Sequence, residues 1–328
     1  MKIIAYGNGS GSTWWRLEAP FIELRKLGHE AFVSDEAVTE KAVQWADIII
    51  LQSIVDKEAI AMIYAYQQER GKKLVLDLDD WVVQKDDSPH KLEHDITDAT
   101  NVIKATAGVA DMITTTQDYL AEKLRTLNSN VVVLPNYIHL ETYDLPKFKN
   151  ESDEIRIGWG GGITHIPDIE MIKEPLTRIC KEFPKVKLVL IGDTRHANLF
   201  PRLNIEATTG VPVDVWPSKL HSLRLDIGIA PLVDNEFNRC KSNIKWQEYS
   251  VAKVPGVFSN IVYQVHGFQP RYGLIAYTPE DWYNSLKTLV QNPLVRSDIA
   301  DAAYTRVTRR FALEEHVKEW ESAYSSLT

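Results

Sequence analysis

The sequence predicts an α/β protein built from two doubly wound halves of similar size. Short apolar strand-like runs alternate with longer helix-like segments from the first residues onward. The alternation pauses at a polar stretch near residue 150 and then restarts. The chain has 328 residues, of which 44% are hydrophobic, enough for two cores. Such alternation calls for a parallel sheet, because parallel strands need crossover helices and those helices cover both sheet faces.

In the first half, strands are expected over Lys2–Tyr6, Glu30–Ser34, Asp47–Gln52, Lys73–Leu78, Met112–Thr115 and Val131–Leu134. Helices are expected near Trp14–Leu27, Lys57–Arg70, Lys91–Ala107 and Asp118–Leu127. The polar segment Lys149–Asp153 follows a proline-containing stretch and marks the linker, giving domains 1–150 and 151–328. The second half offers strands at Ile155–Trp159, Lys187–Ile191, Val213–Trp216, Ile227–Pro231, Gly256–Ser259 and Leu274–Tyr277. Its helices fall at Asp168–Glu182, Lys219–Leu223, Asn243–Ala252, Pro279–Gln291 and Leu294–Arg309. A terminal helix over 313–327 places Val317, Trp320, Tyr324 and Leu327 at helical spacing. In doubly wound sheets ligands sit at the carboxyl ends of the strands, so sites are expected along the cleft between the halves.

Composition narrows the function. No stretch approaches the roughly 20 apolar residues of a membrane span, and MKIIAYGNG begins like a strand rather than a charged leader. A cytoplasmic protein is expected, with peripheral membrane contact left open. The formal net charge of −8 removes the general electrostatic drive toward nucleic acid. Cys180 and Cys240 are the two cysteines, which indicates neither a disulfide framework nor a cysteine zinc site.

Several loops carry candidate chemistry. Gly7–Ser12 follows the first strand, and Gly9 and Gly11 let backbone N–H groups approach a phosphate or sugar; a tight turn is the alternative. The glycine spacing does not fit a dinucleotide fingerprint. Asp77–Trp81 closes the fourth strand. Its carboxylates suit either metal chelation or contact with acceptor hydroxyls, and Asp79, Asp80 and Trp81 are assigned to the acceptor, with a loop-ordering role as the alternative. Asn136 and His139 of PNYIH read as a loop-bonding residue and a surface histidine. Gly161 and Gly162, in the cluster Gly158–His165, suit an anion-binding nest, and His165 can bond ligand oxygens.

The strongest constellation is Asp226–Asn260, an apolar strand, an ionisable loop, a short amphipathic helix and a second apolar run. Arg239, Lys241 and Lys245 crowd three cations beside a helix N-terminus, where the dipole also favours anions. Ser242 suits an N-cap or a phosphate donor, and Glu248 suits either ribose hydroxyls or a solvent-facing pair with Lys245 or Lys241.

The runs LVLIGD, DIGIAPL and KSNIKWQEYSVAKVPGVFSN resemble the C-terminal half of GT-B glycosyltransferases, especially the retaining family 4. WWRLEAPFIELRKLGHEAFV, VLDLDDW, ADMITTTQDYLAEKL and VLPN extend a looser resemblance through the first half. The resemblance implies a GT-B fold, two Rossmann-like domains facing each other across a cleft, acceptor side first and donor side second, with the terminal helix near their junction. It departs from the family at two points. Cys240 stands where the first of two glutamates is usual, with Glu248 matching the second, and Ile163, Thr164 and His165 replace an arginine and lysine.

The resemblance implies a hexosyl- or pentosyltransferase that moves a sugar from a nucleotide diphosphate donor to a hydroxyl acceptor with retention. Lys241, helped by Arg239, is assigned to the leaving phosphate; Ser242, Asn243 and the backbones of Gly9, Gly11, Gly161 and Gly162 to phosphate; Glu248 to ribose; and Trp216 to the base region. The scheme requires no metal and no further cofactor. Glycosylation of modified DNA bases and a non-catalytic nucleotide-sugar-binding subunit are the alternatives.

Overall fold

The computed structural model describes residues 1–7, 9, 11–34, 36–53, 56–81, 97–145, 152–263 and 267–328. In chain order the first elements are β1 (Lys2–Tyr6), α1 (Gly11–Thr13), a π-helical turn (Trp14–Glu18), α2 (Ala19–Lys26), β2 (Glu30–Ser34), α3 (Glu40–Trp45) and β3 (Ile48–Gln52). Then come α4 (Lys57–Arg70), β4 (Lys73–Leu78), α5 (Thr97–Val109), β5 (Met112–Thr115), α6 (Asp118–Leu124) and β6 (Val131–Val133). After residue 152 follow β7 (Ile155–Gly161), α7 (Ile166–Met171), α8 (Lys173–Glu182), β8 (Val186–Gly192), β9 (Ile205–Thr209), α9 (Trp216–Ser222) and β10 (Ile227–Ala230). The chain closes with α10 (Glu236–Arg239), α11 (Ile244–Val251), β11 (Gly256–Ser259), β12 (Leu274–Ala276), α12 (Pro279–Gln291), α13 (Pro293–Arg310) and α14 (Leu313–Ser325).

The chain forms two compact units. One comprises Met1–Tyr137, Arg239–Ser242 and Leu313–Thr328, the other Ile138–Asn238 and Asn243–Ala312. The first unit holds a six-stranded sheet in the order β2-β1-β3-β4-β5-β6. All its pairings are parallel. β3 is buried at every residue, as its unbroken IIIL run requires of a strand covered on both faces. The helices between strands start and stop on local signals. Asp56 caps α4 by accepting from the backbone of Glu58 and Ala59, and Gly71 ends it at φ 64°.

The second unit repeats the plan with the order β12-β11-β10-β7-β8-β9, again parallel throughout. Its core gathers Ile157, Leu188, Leu190, Ile227, Ile229 and Val257 from the strands with Leu176, Ile179, Leu286 and Leu289 from the helices. Thr278 and Asp281 form a capping box at the start of α12.

Several sequence expectations need correction. The strand expected at Val213–Trp216 is absent; Trp216 opens α9 with Pro217 in its first turn, where the missing N–H costs nothing. The edge strand is instead Ile205–Thr209, whose residues pair with β8. The helix expected over Asp168–Glu182 divides at Ile172 into α7 and α8; Pro175 lacks the N–H that an unbroken helix would use. Helix α3 was not anticipated.

Partition of the chain also differs from a single cut at 150. The first unit ends at Tyr137, regains residues 239–242, and includes α14. α14 packs on α2. His29 Nε2 lies 2.8 Å from Glu321 Oε1, and Val317, Trp320 and Tyr324 are the buried face. Residues 91–96 of the helix expected near Lys91–Ala107 and 149–151 of the expected linker lie outside the described residues, as do Asn8 and Ser10. Among the described residues, no helix is long and apolar enough to cross a membrane.

Candidate functional site

The first unit's polar residues gather at the carboxyl ends of its strands. The π-helical turn carries Arg16, which is wholly buried. Its Nε and Nη2 reach the Asp77 carboxylate at 3.1 and 2.8 Å, and Nη1 donates to Asn136 Oδ1 at 3.1 Å and to the Leu134 carbonyl. Thr114 Oγ1 adds a 2.7 Å bond to Asp77. A guanidinium can sit at such depth because every visible acceptor around it is a carboxylate or a carbonyl. Asp77 is therefore spoken for as a structural counter-ion.

Asp79 and Asp80 have different fates. Asp80 lies 3.4 Å from Lys241 Nζ. Asp79 is partly buried, and its carboxyl is pushed up to about 7 by burial, then by the charges of Asp80 and Asp77, against the pull of Arg16 and a hydrogen bond from Ser12. Ser12 accepts from Gln52 Nε2 at 3.1 Å, and Gln52 Oε1 accepts from Thr13 Oγ1 at 2.8 Å. Trp81 packs at the core margin with Lys123 Nζ 5.3 Å from its ring centroid. In the glycine loop, Gly9 sits at φ +71°, a left-handed conformation that favours glycine, whereas a Cβ on Gly11 would meet nothing.

The segment Arg239–Ser242 is seated on this unit. Cys240 is fully buried among its core residues, and burial pushes the thiol up to about 12. Gln117 Nε2 donates to the Arg239 carbonyl at 2.7 Å, while the Arg239 side chain is exposed. Asn136 Nδ2 donates to Ser242 Oγ at 3.0 Å. Asn136 thus ties Arg16 to Ser242 through side-chain bonds. His139, expected at the surface, is buried with Nδ1 2.7 Å from Thr142 Oγ1.

In the second unit the glycine cluster is mostly strand. Gly158, Gly160 and Gly161 belong to β7, and Gly162 follows it. A Cβ on Gly158 would lie 2.2 Å from Leu225, and one on Gly161 2.7 Å from the Trp159 ring, so close packing demands these glycines. The expected open nest reduces to the end of a strand, where the Gly161 carbonyl accepts from Asp193 N at 3.3 Å. His165 Nδ1 sits 2.7 Å from Asp168 Oδ2, and buried Asp168 also accepts from Val233 N and Asn238 Nδ2 at 2.8 and 2.9 Å.

Helix α11 is buried from Trp246 through Val251, a more complete burial than an amphipathic helix requires. Asn243, rather than Ser242, is its N-cap residue, and Asn243 Oδ1 accepts from Gln247 Nε2 at 2.8 Å. Glu248 faces Trp216, whose Nε1 donates to Oε1 at 2.7 Å. Glu248 is buried rather than solvent-facing, with the Lys245 charge nearby. Lys245 Nζ donates to the Gly160 carbonyl at 2.7 Å. Burial pushes Glu248 up to about 7, against the nearby Lys245 charge and the Trp216 bond. A Cβ on Gly160 would stand 3.6 Å from the Trp216 ring, so glycine, indole, lysine and glutamate form one corner.

Arg16 and Gly160 are the functional-site residues that sequence reasoning passed over. One cation among the apolar residues of an otherwise ordinary helix was the available signal for Arg16.

No protein-family profile matches the chain, and no curated protein sequence matches it. Solved structures do. The chain is similar to Anabaena Alr3699/HepE, solved in complex with UDP and glucose, with TM-score 0.68 and 12% identity over 99% of this chain and 100% of that one. Sucrose-phosphate synthase from Thermosynechococcus elongatus gives TM-score 0.68 and 11% identity over 100% and 99% of the two chains. A glycosyltransferase from Rickettsia africae gives 0.68 and 12% over 99% and 98%. The fold is the GT-B fold, two Rossmann-like α/β units, over the whole chain.

Proposed function

We propose that the chain is a glycosyltransferase that moves a sugar from a nucleotide diphosphate donor to a hydroxyl acceptor. The observation that carries this is the buried Glu248 carboxylate, held by Trp216 Nε1 at 2.7 Å at the Gly160 corner of the second unit. A desolvated carboxylate anchored at one oxygen is costly unless a ligand uses it, and two vicinal ribose hydroxyls are the matching donor pair. The likeness to a fold that binds UDP in Alr3699/HepE supports the assignment.

In the reaction the acceptor oxygen bonds to the anomeric carbon, and the bond from that carbon to phosphate oxygen breaks with its electron pair. Negative charge develops on the departing nucleoside diphosphate, so preorganised cations and N–H dipoles lower the barrier. Lys241 serves that charge, with Arg239 assisting. Ser242, Asn243 and the backbones of Gly9, Gly11, Gly161 and Gly162 are assigned to phosphate oxygens. Trp216 flanks the nucleoside. Asp79, Asp80 and Trp81 serve the acceptor. Retention of configuration follows the family resemblance, the scheme needs no metal, and the protein acts in the cytoplasm.

Burial of Cys240 in place of a family glutamate favours one second reading, a nucleotide-sugar binder without transfer. A thermal-shift panel of nucleotide sugars tests the donor assignment. A true donor at ~100 times its dissociation constant adds about 2.7 kcal/mol of stability, and Glu248→Ala abolishes the shift. No shift with any nucleotide sugar overturns the proposal.

A further inference from the structure

We infer that a cavity at the amino end of the second unit's sheet binds a phosphate monoester. The site lies wholly within that unit and does not depend on the transferase reading.

The cavity has a volume of about 470 Å³. It sits where Asp226 leads into β10 and Pro255 leads into β11, at the opposite end of the sheet from the corner formed by Gly160, Trp216 and Glu248. Helices α9 and α11 each carry a residue of that corner, Trp216 or Glu248, and each finishes at the cavity. The space is larger than a bare phosphate needs and falls within the usual range of small-molecule sites.

Three permanent cations, Arg224, Lys253 and Arg296, line it. Arg224 and Lys253 stand one residue past the C-caps of α9 and α11, at φ +50° and +57°. Glycine is favoured at that position, because a Cβ is strained in the left-handed region. A basic side chain there meets the negative end of the helix dipole, which accounts for one such residue at one helix. The dipole does not require both side chains and a third cation to converge on one cavity. Arg296, on α13, is half-buried and held by Nη1, which donates to the carbonyls of Leu289 and Val290 at 2.5 and 3.2 Å. Its Nε and Nη2 make no hydrogen bond among the described residues, so a fixed guanidinium keeps two nitrogens for a ligand.

The two carboxylates on the wall are already engaged. Asp226 Oδ2 accepts from Arg156 N at 2.8 Å. Asp301 Oδ1 lies 2.6 Å from Lys253 Nζ, and its side chain is 61% exposed, so that pair is weak and exchangeable. A phosphate dianion takes the place of Asp301 on Lys253 and accepts from Arg224 and from the open edge of Arg296. Leu220, Leu225, Val254 and Pro255 supply an apolar wall for the organic part of the ester.

The test is isothermal titration calorimetry of the full chain with glycerol 3-phosphate and with inorganic phosphate. Glycerol 3-phosphate binds, and binds more tightly than inorganic phosphate. Arg224→Gly, Lys253→Gly and Arg296→Gln each weaken it by about 10-fold or more. The two glycine variants keep the unfolding midpoint of the ligand-free chain at or above the parent's, because glycine relieves the left-handed strain. Loss of affinity in a chain of undiminished stability separates a binding role from a purely structural one. Asp301→Asn, which removes the competing carboxylate, strengthens binding, and Lys241→Ala leaves it unchanged. No binding of either phosphate at millimolar concentration overturns the inference, as does unaltered affinity in the glycine variants. Tighter binding of inorganic phosphate than of the ester overturns the ligand class. Binding lost in Lys241→Ala and kept in the glycine variants would place the phosphate at the donor machinery and overturn the second site.

Discussion

Trp216 donates its indole N–H to Glu248 across 2.7 Å, joining the first residue of α9 to the buried helix α11. The bond holds one carboxylate oxygen in an apolar setting that raises the proton affinity of the group to about 7. Stability and ligand binding then pull in opposite directions. The fold prefers the neutral acid, and ribose recognition prefers the carboxylate.

The first prediction concerns that conflict. Glu248 is raised from 4.5 to about 7, so the folded state holds a proton that the unfolded chain releases. The favourable contribution is fully present below 4.5 and is lost as pH rises to about 7, a change of about 3 kcal/mol. Glu248→Gln should match the parent chain in urea unfolding at pH 4 and exceed it at pH 8. Equal pH dependence in the two proteins would remove the assignment. Donor affinity should change the other way, strengthening as pH passes 7.

Arg16 and Asp77 form a buried pair with side-chain exposures of 0% and 2%. Arg16→Met should cost about 3–5 kcal/mol by stranding Asp77, and Arg16→Met with Asp77→Leu should recover much of that loss. Chemical denaturation of the two variants decides it; a double variant no better than the single would show that Arg16 acts mainly through Asn136 and Leu134.

Cys240 occupies a fully buried position where the resembled family carries glutamate. Restoring the family residue by Cys240→Glu should lower the unfolding midpoint sharply, because an unpaired carboxylate would enter the core of the first unit. Cys240→Ala should cost about 1–2 kcal/mol, as a small cavity does. A stable Cys240→Glu protein would mean that the segment 239–242 can leave its seat.

Lys241→Ala should reduce turnover by about 100-fold or more while leaving the fold intact, if its charge serves the departing phosphate. Its pair with Asp80 is 18% and 27% exposed, so removing it costs little stability. Turnover within a few-fold of the parent chain would take Lys241 out of the mechanism.

Much of this architecture was legible because parallel strands are apolar on both faces. IIILQ at β3 and LVLIG at β8 stand out of any flanking sequence. β9 was harder to see, since none of its five residues is fully buried and it offers no apolar run, while VDVW shortly after it mimicked a strand pattern. Glu248 was recognised as important, yet its partner Trp216 lies 32 residues away and no local rule links them. Arg16 and Asp77 are separated by 61 residues, which hid the ion pair for the same reason. The glycine cluster has packing reasons that local sequence does not show. Its glycines answer to Leu225 and the Trp159 ring, contacts created only when the sheet is assembled.

The central claim is sugar transfer, and one measurement bears on it most directly. The full chain is incubated with UDP-, GDP-, ADP- and dTDP-sugars and a panel of alcohol acceptors, and the products are read by mass spectrometry. The account predicts nucleoside diphosphate release matched by an acceptor gaining one sugar, both lost in Glu248→Ala. A donor that binds but is never consumed, with every acceptor unchanged, would contradict it.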